Sequence, residues 1–289
     1  MTHVATLIGP SLDDALDRAQ AMLGGVPQRL GPDAADIPFT PEGDARAIAE
    51  TLRAEFAGID VVVQSAANRR KRLFLADMDA TMIQQECIDE LADYAGVKAH
   101  VAAITERAMR GEIAFVPALR ERVALLKGLP VATVDEVIDK RISLTPGART
   151  LIATMRKHGV LTCMVSGGFT LFTARIAKMI GFEETRANTL VVEHGKLAGL
   201  VAEPIFGRNG KRATLIELRN RLGLAKSETM ATGDGANDMD MIAEAGLGVA
   251  FHAKPAVAAA APARIDRADL TALLYVQGYR KEEFVEVSA

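Results

Sequence analysis

The 289-residue sequence predicts an α/β protein. The expected architecture is a doubly wound parallel sheet with a helical cap inserted after its first core strand, preceded by a small α/β or α+β module. Three observations carry this expectation. Short apolar runs alternate with amphipathic helical segments, as in a sheet covered on both faces. Three of four such runs end in polar residues. A long strand-free stretch follows the first of them.

Residues 1–70 read as an accessory module. Val4 to Ile8 is strand-like, and Leu12, Ala15, Leu16, Ala19 and Leu23 recur at helical spacing before Gly24-Gly25. The Pro-, Gly- and Asp-rich stretch from Pro27 to Gly43 reads as a loop. Ala45 to Phe56 is helical, and Ile59 to Val63 is a β-branched strand. No catalytic constellation occurs here. Arg69-Arg70-Lys71-Arg72 follows. A nucleic-acid or localisation patch is one reading, and a solvated hinge before a buried strand is the preferred one.

Residues 71–289 carry the repeating pattern. Leu73 to Ala76 stops at Asp77, Val160 to Val165 stops at Ser166-Gly167-Gly168, and Thr229 to Thr232 stops at Gly233-Asp234. Leu247 to Phe251 is a fourth run. Thr150 to His158, Thr170 to Ile180, Ala213 to Leu222 and Asp238 to Ala245 supply the helices. In such sheets ligands gather at the carboxyl ends of the strands. From Gln84 to about Leu144 the chain reads as helical, with apolar stripes at Ile88, Leu91, Ala92, Ala95 and at Leu119, Val123, Leu126. An insertion at that edge is suited to a lid. Leu190 to Val201 reads as a hairpin around Gly195.

Composition narrows the function. Thirty-four basic and 37 acidic residues leave a formal charge of −3, and aromatic residues are 4% with no Trp. Neither the basic excess nor the stacking platform of a nucleic-acid protein is there. Cys87 and Cys163 form no CxxC pair, so they suggest neither a disulfide framework nor a zinc site. The apolar run Ala256 to Ala261 is far short of the ~20 residues that span a bilayer. The start of the chain lacks signal-peptide features. A cytoplasmic location is expected, and monomer and homodimer both stay open.

The chemistry concentrates at the strand ends. In Asp77-Met78-Asp79, carboxylates two residues apart on an extended backbone project to one side. Their repulsion calls for a hard divalent cation such as Mg²⁺. Asp234 and Asp238, in Gly233-Asp234-Gly235-Ala236-Asn237-Asp238, could join them. Ser166 and the N–H groups of Gly167 and Gly168, opening a helix, form an anion cradle. Lys211 is the candidate to balance phosphoryl charge. An aspartate nucleophile, Mg²⁺ and an anion cradle together suit phosphoryl transfer.

The ordered set Asp77-x-Asp79, Ser166, Lys211 and Gly233-Asp234-Gly235-x-Asn237-Asp238 resembles the haloacid dehalogenase superfamily of phosphohydrolases. Gln85-Glu86-Cys87-Ile88-Asp89-Glu90-Leu91, Leu119-Arg120-Glu121-Arg122-Val123 and Val165-Ser166-Gly167-Gly168-Phe169 narrow the likeness to its phosphoserine phosphatase family, over roughly residues 73 to 275. The resemblance implies Mg²⁺-dependent hydrolysis of O-phospho-L-serine through an aspartyl-phosphate, the last step of serine biosynthesis. It implies Asp77 as nucleophile and metal ligand, Asp79 as acid/base and carbonyl ligand, Asp234 as third ligand, and Asp238 in support. Ser166, Gly167, Lys211 and Asn237 would hold the phosphoryl group. Glu86 and Arg122 would take the substrate ammonium and carboxylate, and Met109 and Phe115 would close over it. The accessory module would be ACT-like, in degenerate form.

One position departs from the family. Ala80 stands where a Ser is usual, which predicts a tuned phosphate loop in an active enzyme. Two alternatives remain at this point. One is a phosphatase of the same superfamily acting on another small ester. The other is a phospho-accepting signalling receiver, although receivers lack a helical lid and place their acidic pair before the acceptor Asp.

Overall fold

A computed structural model describes residues 2–109 and 112–287, excluding the side chains of residues 108 and 109. The N-terminal unit comprises β1 (His3–Ile8), α1 (Leu12–Leu23), β2 (Gln28–Gly31), β3 (Ala34–Phe39), α2 (Ala45–Glu55) and β4 (Asp60–Ser65). Its strands form an antiparallel sheet in the order β2-β3-β1-β4, a split βαβ arrangement. Leu12, Ala15, Leu16 and Ala19 of α1 and Ala49 and Leu52 of α2 cover one face. Ile8, Leu30, Ala34 and Val62 on the other face join the main core of the molecule.

The expected loop from Pro27 to Gly43 is instead largely the β2–β3 pair. Turn-forming residues conceal this pairing. Pro38 lies past the end of β2, where β3 is paired on one side only, the setting in which a strand tolerates proline. Asp36 is buried in the strand but accepts from the Thr6 hydroxyl at 2.7 Å and pairs with Arg69.

The basic run is only half solvated: Arg70 and Arg72 are exposed, whereas Arg69 and Lys71 are engaged by the fold. Arg69 donates to Asp36 and to the carbonyls of Tyr275 and Val276. Lys71 is buried, with Nζ on the Asn68 and Ser227 carbonyls, and Arg70 pairs with Glu283 while lying over the Tyr279 ring. These cations fasten the N-terminal sheet to the end of the chain. Removing one partner of a pair as buried as Arg69–Asp36 typically costs about 3–5 kcal/mol.

The remaining elements are β5 (Leu73–Ala76), helices α3 (Cys87–Tyr94), α4 (Lys98–Met109), α5 (Phe115–Ala124), α6 (Ala132–Arg141) and α7 (Ala148–Lys157), then β6 (Leu161–Phe169), α8 (Thr170–Ile180) and β7 (Glu184–Asn188). A hairpin of β8 (Leu190–Glu193) and β9 (Lys196–Val201) precedes α9 (Arg208–Arg221). The chain closes with β10 (Thr229–Gly233), α10 (Met239–Glu244), β11 (Leu247–Phe251), α11 (Pro255–Ala260), β12 (Ala263–Ile265) and α12 (Ala272–Val276).

Six strands make the parallel sheet, ordered β12-β11-β10-β5-β6-β7. The central strands β5, β10 and β11 are buried throughout, as a sheet with helices on both faces requires. The edge strands β7 and β12 escaped the sequence reading because one is polar and the other only three residues long. Apolar continuity marks central strands and fades at edges. Among the described residues no helix is long and apolar enough to cross a membrane.

Candidate active site

The carboxyl ends of β5, β6 and β10 converge below the α3–α5 insertion. There a cavity of about 170 Å³ is lined by Asp77, Asp79, Glu86, Phe115, Arg122, Gly167, Asp234, Asn237 and Lys254, among others. Thus three strand ends and two insertion helices contribute to one space. Ser166, Lys211 and Asp238 are buried beneath it.

Asp77 follows β5 directly, and its backbone N–H donates to the Thr232 carbonyl of β10. Its Oδ1 accepts from the Met78 N–H at 2.7 Å and lies 2.7 Å from Lys211 Nζ. The same ammonium lies 2.7 Å from Asp238 Oδ1. Burial and the Asp238 carboxylate push the Asp77 pKa well up, against the pull of Lys211. Burial alone would lower the Lys211 pKa, but Asp238 and Asp77 raise it overall, so the lysine is charged.

Ligand atoms of Asp77, Asp234 and Asp238 lie within 4.8 Å of one another. One touching ammonium for three buried carboxylates leaves a surplus of negative charge, and hard oxygen donors suit a divalent cation. Asp238 is close enough to be a ligand itself. Its oxygens are already engaged, however: Oδ1 with Lys211 and Oδ2 with the Gly235 N–H at 3.1 Å. That arrangement fits support of the site from beside it. Asp234 accepts from the Thr81 hydroxyl at 3.3 Å, and burial and Asp238 raise its pKa.

Asp79 is turned toward the insertion. Its Oδ1 accepts the Cys87 N–H at 2.9 Å, at the first turn of α3, and its Oδ2 accepts the Ser166 hydroxyl at 3.1 Å. Burial raises its pKa, although these donors restrain the rise. The side chain of Asp79 is therefore separate from the Asp77–Asp234–Asp238 cluster.

The Ser166-Gly167-Gly168 segment does not open a helix. It belongs to the end of β6, where the pairing with β7 breaks register between Val165 and Phe169, and α8 starts only at Thr170. The Gly168 N–H donates to Ser166 Oγ at 2.9 Å and so orients that hydroxyl. This takes Gly168 N–H out of the expected cradle.

Glu86 precedes α3 and keeps solvent contact at the cavity mouth. Partial burial, Asp79 and Asp234 push its pKa up to about 7, with Lys254 opposing them. Arg122, on α5, donates from Nε to the Ala118 carbonyl at 3.2 Å and from Nη1 to the Thr105 hydroxyl at 3.4 Å. Among the described residues Nη2 has no hydrogen-bond acceptor and can turn to a ligand. Phe115 reaches across to the sheet. A Cβ at Gly167 would lie 3.6 Å from its ring and one at Gly207 would lie 3.0 Å away. Gly207 therefore makes room for the ring, whereas a side chain at Gly167 would meet it at ordinary contact distance. The Met109 side chain lies outside the described residues.

Sequence reasoning missed Lys254. Its sequence signal is the lysine in Ala253-Lys254-Pro255, just past the fourth apolar run. Ala80, by contrast, turns away from the cavity. It adopts the left-handed region (φ 51°), donates its N–H to the Gln85 carbonyl at 3.2 Å and lines a neighbouring cleft with Gln84, Thr145 and His252.

A model of the haloacid dehalogenase-like hydrolase family matches residues 74–243. A phosphoserine phosphatase from Polaromonas sp. is 47% identical over 208 residues, covering 70% of this chain and 88% of that protein. A crystal structure of a probable phosphoserine phosphatase from Vibrio cholerae, in unliganded form, superposes with a TM-score of 0.79 at 30% identity, covering 97% of this chain and 88% of that one. A phospho-aspartyl intermediate analogue of phosphoserine phosphatase superposes with a TM-score of 0.66 at 40% identity, covering 71% and 98%.

Proposed function

The chain belongs to the haloacid dehalogenase-like hydrolase family, and from that premise we propose that it is a phosphoserine phosphatase, releasing L-serine and phosphate from O-phospho-L-serine. One observation carries the choice of substrate: a single small cavity holds the acidic strand ends on one side and Glu86 with Arg122 on the other. Phosphoserine needs all three functions, for phosphate, ammonium and carboxylate. At about 170 Å³ the cavity is also well below the space drug-sized ligands occupy, which favours a small ester over a nucleotide.

Asp77 attacks phosphorus in line. Its Oδ1 is held by Lys211 and the Met78 N–H, while Oδ2 has no hydrogen-bond donor among the described residues and keeps lone pairs to form the new bond. Asp79, whose burial favours the neutral acid, protonates the departing serine oxygen. The product of this step is an aspartyl-phosphate, in keeping with the analogue solved for a relative. Asp79, now ionised, takes a proton from the water that hydrolyses the acyl phosphate.

Asp77 and Asp234 carboxylates and the Asp79 carbonyl would hold Mg²⁺, which when bound offsets the phosphate charge and keeps Asp77 ionised. Lys211 has a third N–H for a phosphoryl oxygen, and the Ser166 hydroxyl, Gly167 and Asn237 complete the phosphate pocket. Arg122 offers two adjacent nitrogens to the carboxylate. Phe115 excludes water until serine leaves. The enzyme would act in the cytoplasm, where two buried free thiols stay reduced, and would close serine biosynthesis.

The deciding experiment is phosphate release from phosphoserine with and without Mg²⁺, alongside Asp77→Asn. Wild type should turn over only with the metal, and the variant should neither turn over nor trap beryllofluoride. Near-normal turnover by Asp77→Asn would reject the nucleophile. A faster rate on phosphothreonine or sugar phosphates would favour a different ester.

A further inference from the structure

The Asp234 loop is tied to the N-terminal unit by a short run of hydrogen bonds. Asp60, the first residue of β4, is buried, and its carboxylate accepts three consecutive backbone N–H groups: Asp266 at 2.8 Å, Arg267 at 3.1 Å and Ala268 at 2.8 Å. These residues directly follow β12. Without that carboxylate the segment would lose three charge-assisted bonds at once.

The Ala268 carbonyl then lies 2.9 Å from His252 Nε2, which must carry the proton because a carbonyl only accepts. The His252 N–H donates to the Ile265 carbonyl at 2.8 Å. His252 has φ 44°, a left-handed conformation that is costly for a residue with a Cβ. Its ring stacks on Phe251 at 4.2 Å. Two residues on, the Lys254 N–H returns to the Asp234 carbonyl at 3.1 Å.

We propose that Asp60 is a positioning residue for phosphate hydrolysis: by fixing residues 266–268 it holds His252 in its left-handed turn, and that turn holds the Asp234 loop in register for the metal. The N-terminal unit then has a definite task, which is to complete the framework of the metal site from beside the β12 edge of the sheet. The physical reason is the stored strain. Residue 252 relaxes toward negative φ unless its ring and amide are both held, and relaxation withdraws Lys254 N–H from Asp234. The proposal rests on the reading of Asp234 as a metal ligand.

The test uses the full-length chain with Asp60→Asn, and Leu52→Ala as a control that loosens the unit's own core on the opposite face of its sheet, away from the Asp60 bonds. Backbone hydrogen exchange is read without metal at 252–254 and 266–268, and Mn²⁺ binding is read by calorimetry. Asp60→Asn should speed exchange in both segments and weaken Mn²⁺ binding about three-fold, less than the roughly ten-fold loss usual for a group bonded directly to a ligand. Its kcat at saturating Mg²⁺ should stay close to wild type. Leu52→Ala should lower thermal stability and change neither segment nor metal affinity.

Exchange that rises at 266–268 alone, unaltered Mn²⁺ affinity, or the same changes in Leu52→Ala would each overturn the proposal. A wild type that binds no Mn²⁺ removes the metal reading of Asp234 and this proposal with it. Equal binding by wild type and Asp60→Asn removes only the proposal.

Discussion

Lys211 Nζ stands 2.7 Å from Asp77 Oδ1, and the lysine side chain has no surface exposed to solvent. A lysine in that position cannot be exchanged for a neutral residue without stranding charge. Lys211→Met should cost about 3–5 kcal/mol of stability in metal-free protein, the scale for breaking a buried pair. Denaturant unfolding with and without Mg²⁺ checks this. Added metal should restore part of the stability, while phosphoserine turnover stays at least about 10²-fold down.

Glu86 has a pKa near 7 and must be ionised to receive an ammonium. It is neutral below that value and charged above it. Hence kcat/KM for phosphoserine should rise as pH increases through about 7. Glu86→Gln should remove that limb and lose about 1.5–3 kcal/mol of transition-state binding, as for a hydrogen bond to a charged group. Phosphoglycolate, which has no amino group, should be indifferent to the substitution. A limb that persists in Glu86→Gln would assign it elsewhere.

The methyl group of Ala80 lines a cleft beside the active cavity, not the cavity itself. Restoring the serine usual in the family should therefore change activity and stability by no more than about 0.5 kcal/mol, because Ala and Ser both carry a Cβ into the same left-handed backbone and the hydroxyl would point away from the cavity. Steady-state kinetics of Ala80→Ser decides it. A large gain in kcat would mean that the hydroxyl reaches the phosphate after all.

Gly233 leaves no room for a side chain, because a Cβ there would sit 2.3 Å from the Asp238 carboxyl carbon. Gly233→Ala should push Asp238 away from Lys211. The expected result is a folded protein with little phosphatase activity and a reduced rise in melting temperature on adding Mg²⁺. Full metal stabilisation in this variant would show that Asp238 can move without loss.

Much of the site was legible in the sequence because its residues lie where apolar runs end. Asp77, Ser166 and Asp234 each end or follow a strand that must be buried, so their side chains were bound to gather at one edge. Elements lacking apolar continuity were not legible. The β2–β3 pair is rich in turn residues, and β7 is polar. The engagement of Arg69 and Lys71 was not legible either, because their partners Asp36 and Ser227 are distant in the chain.

By itself the sequence determined the alternation of strand and helix, the order of the acidic motifs and the identity of the chemistry-bearing side chains. These follow from local periodicity and from residue type. Tertiary structure alone decided which Asp79 oxygen meets Cys87 and which meets Ser166, that Lys211 is shared by two carboxylates, and that Asp60 reaches the segment after β12. Each is a contact between residues far apart along the chain. Such contacts depend on register and packing, which no local pattern encodes.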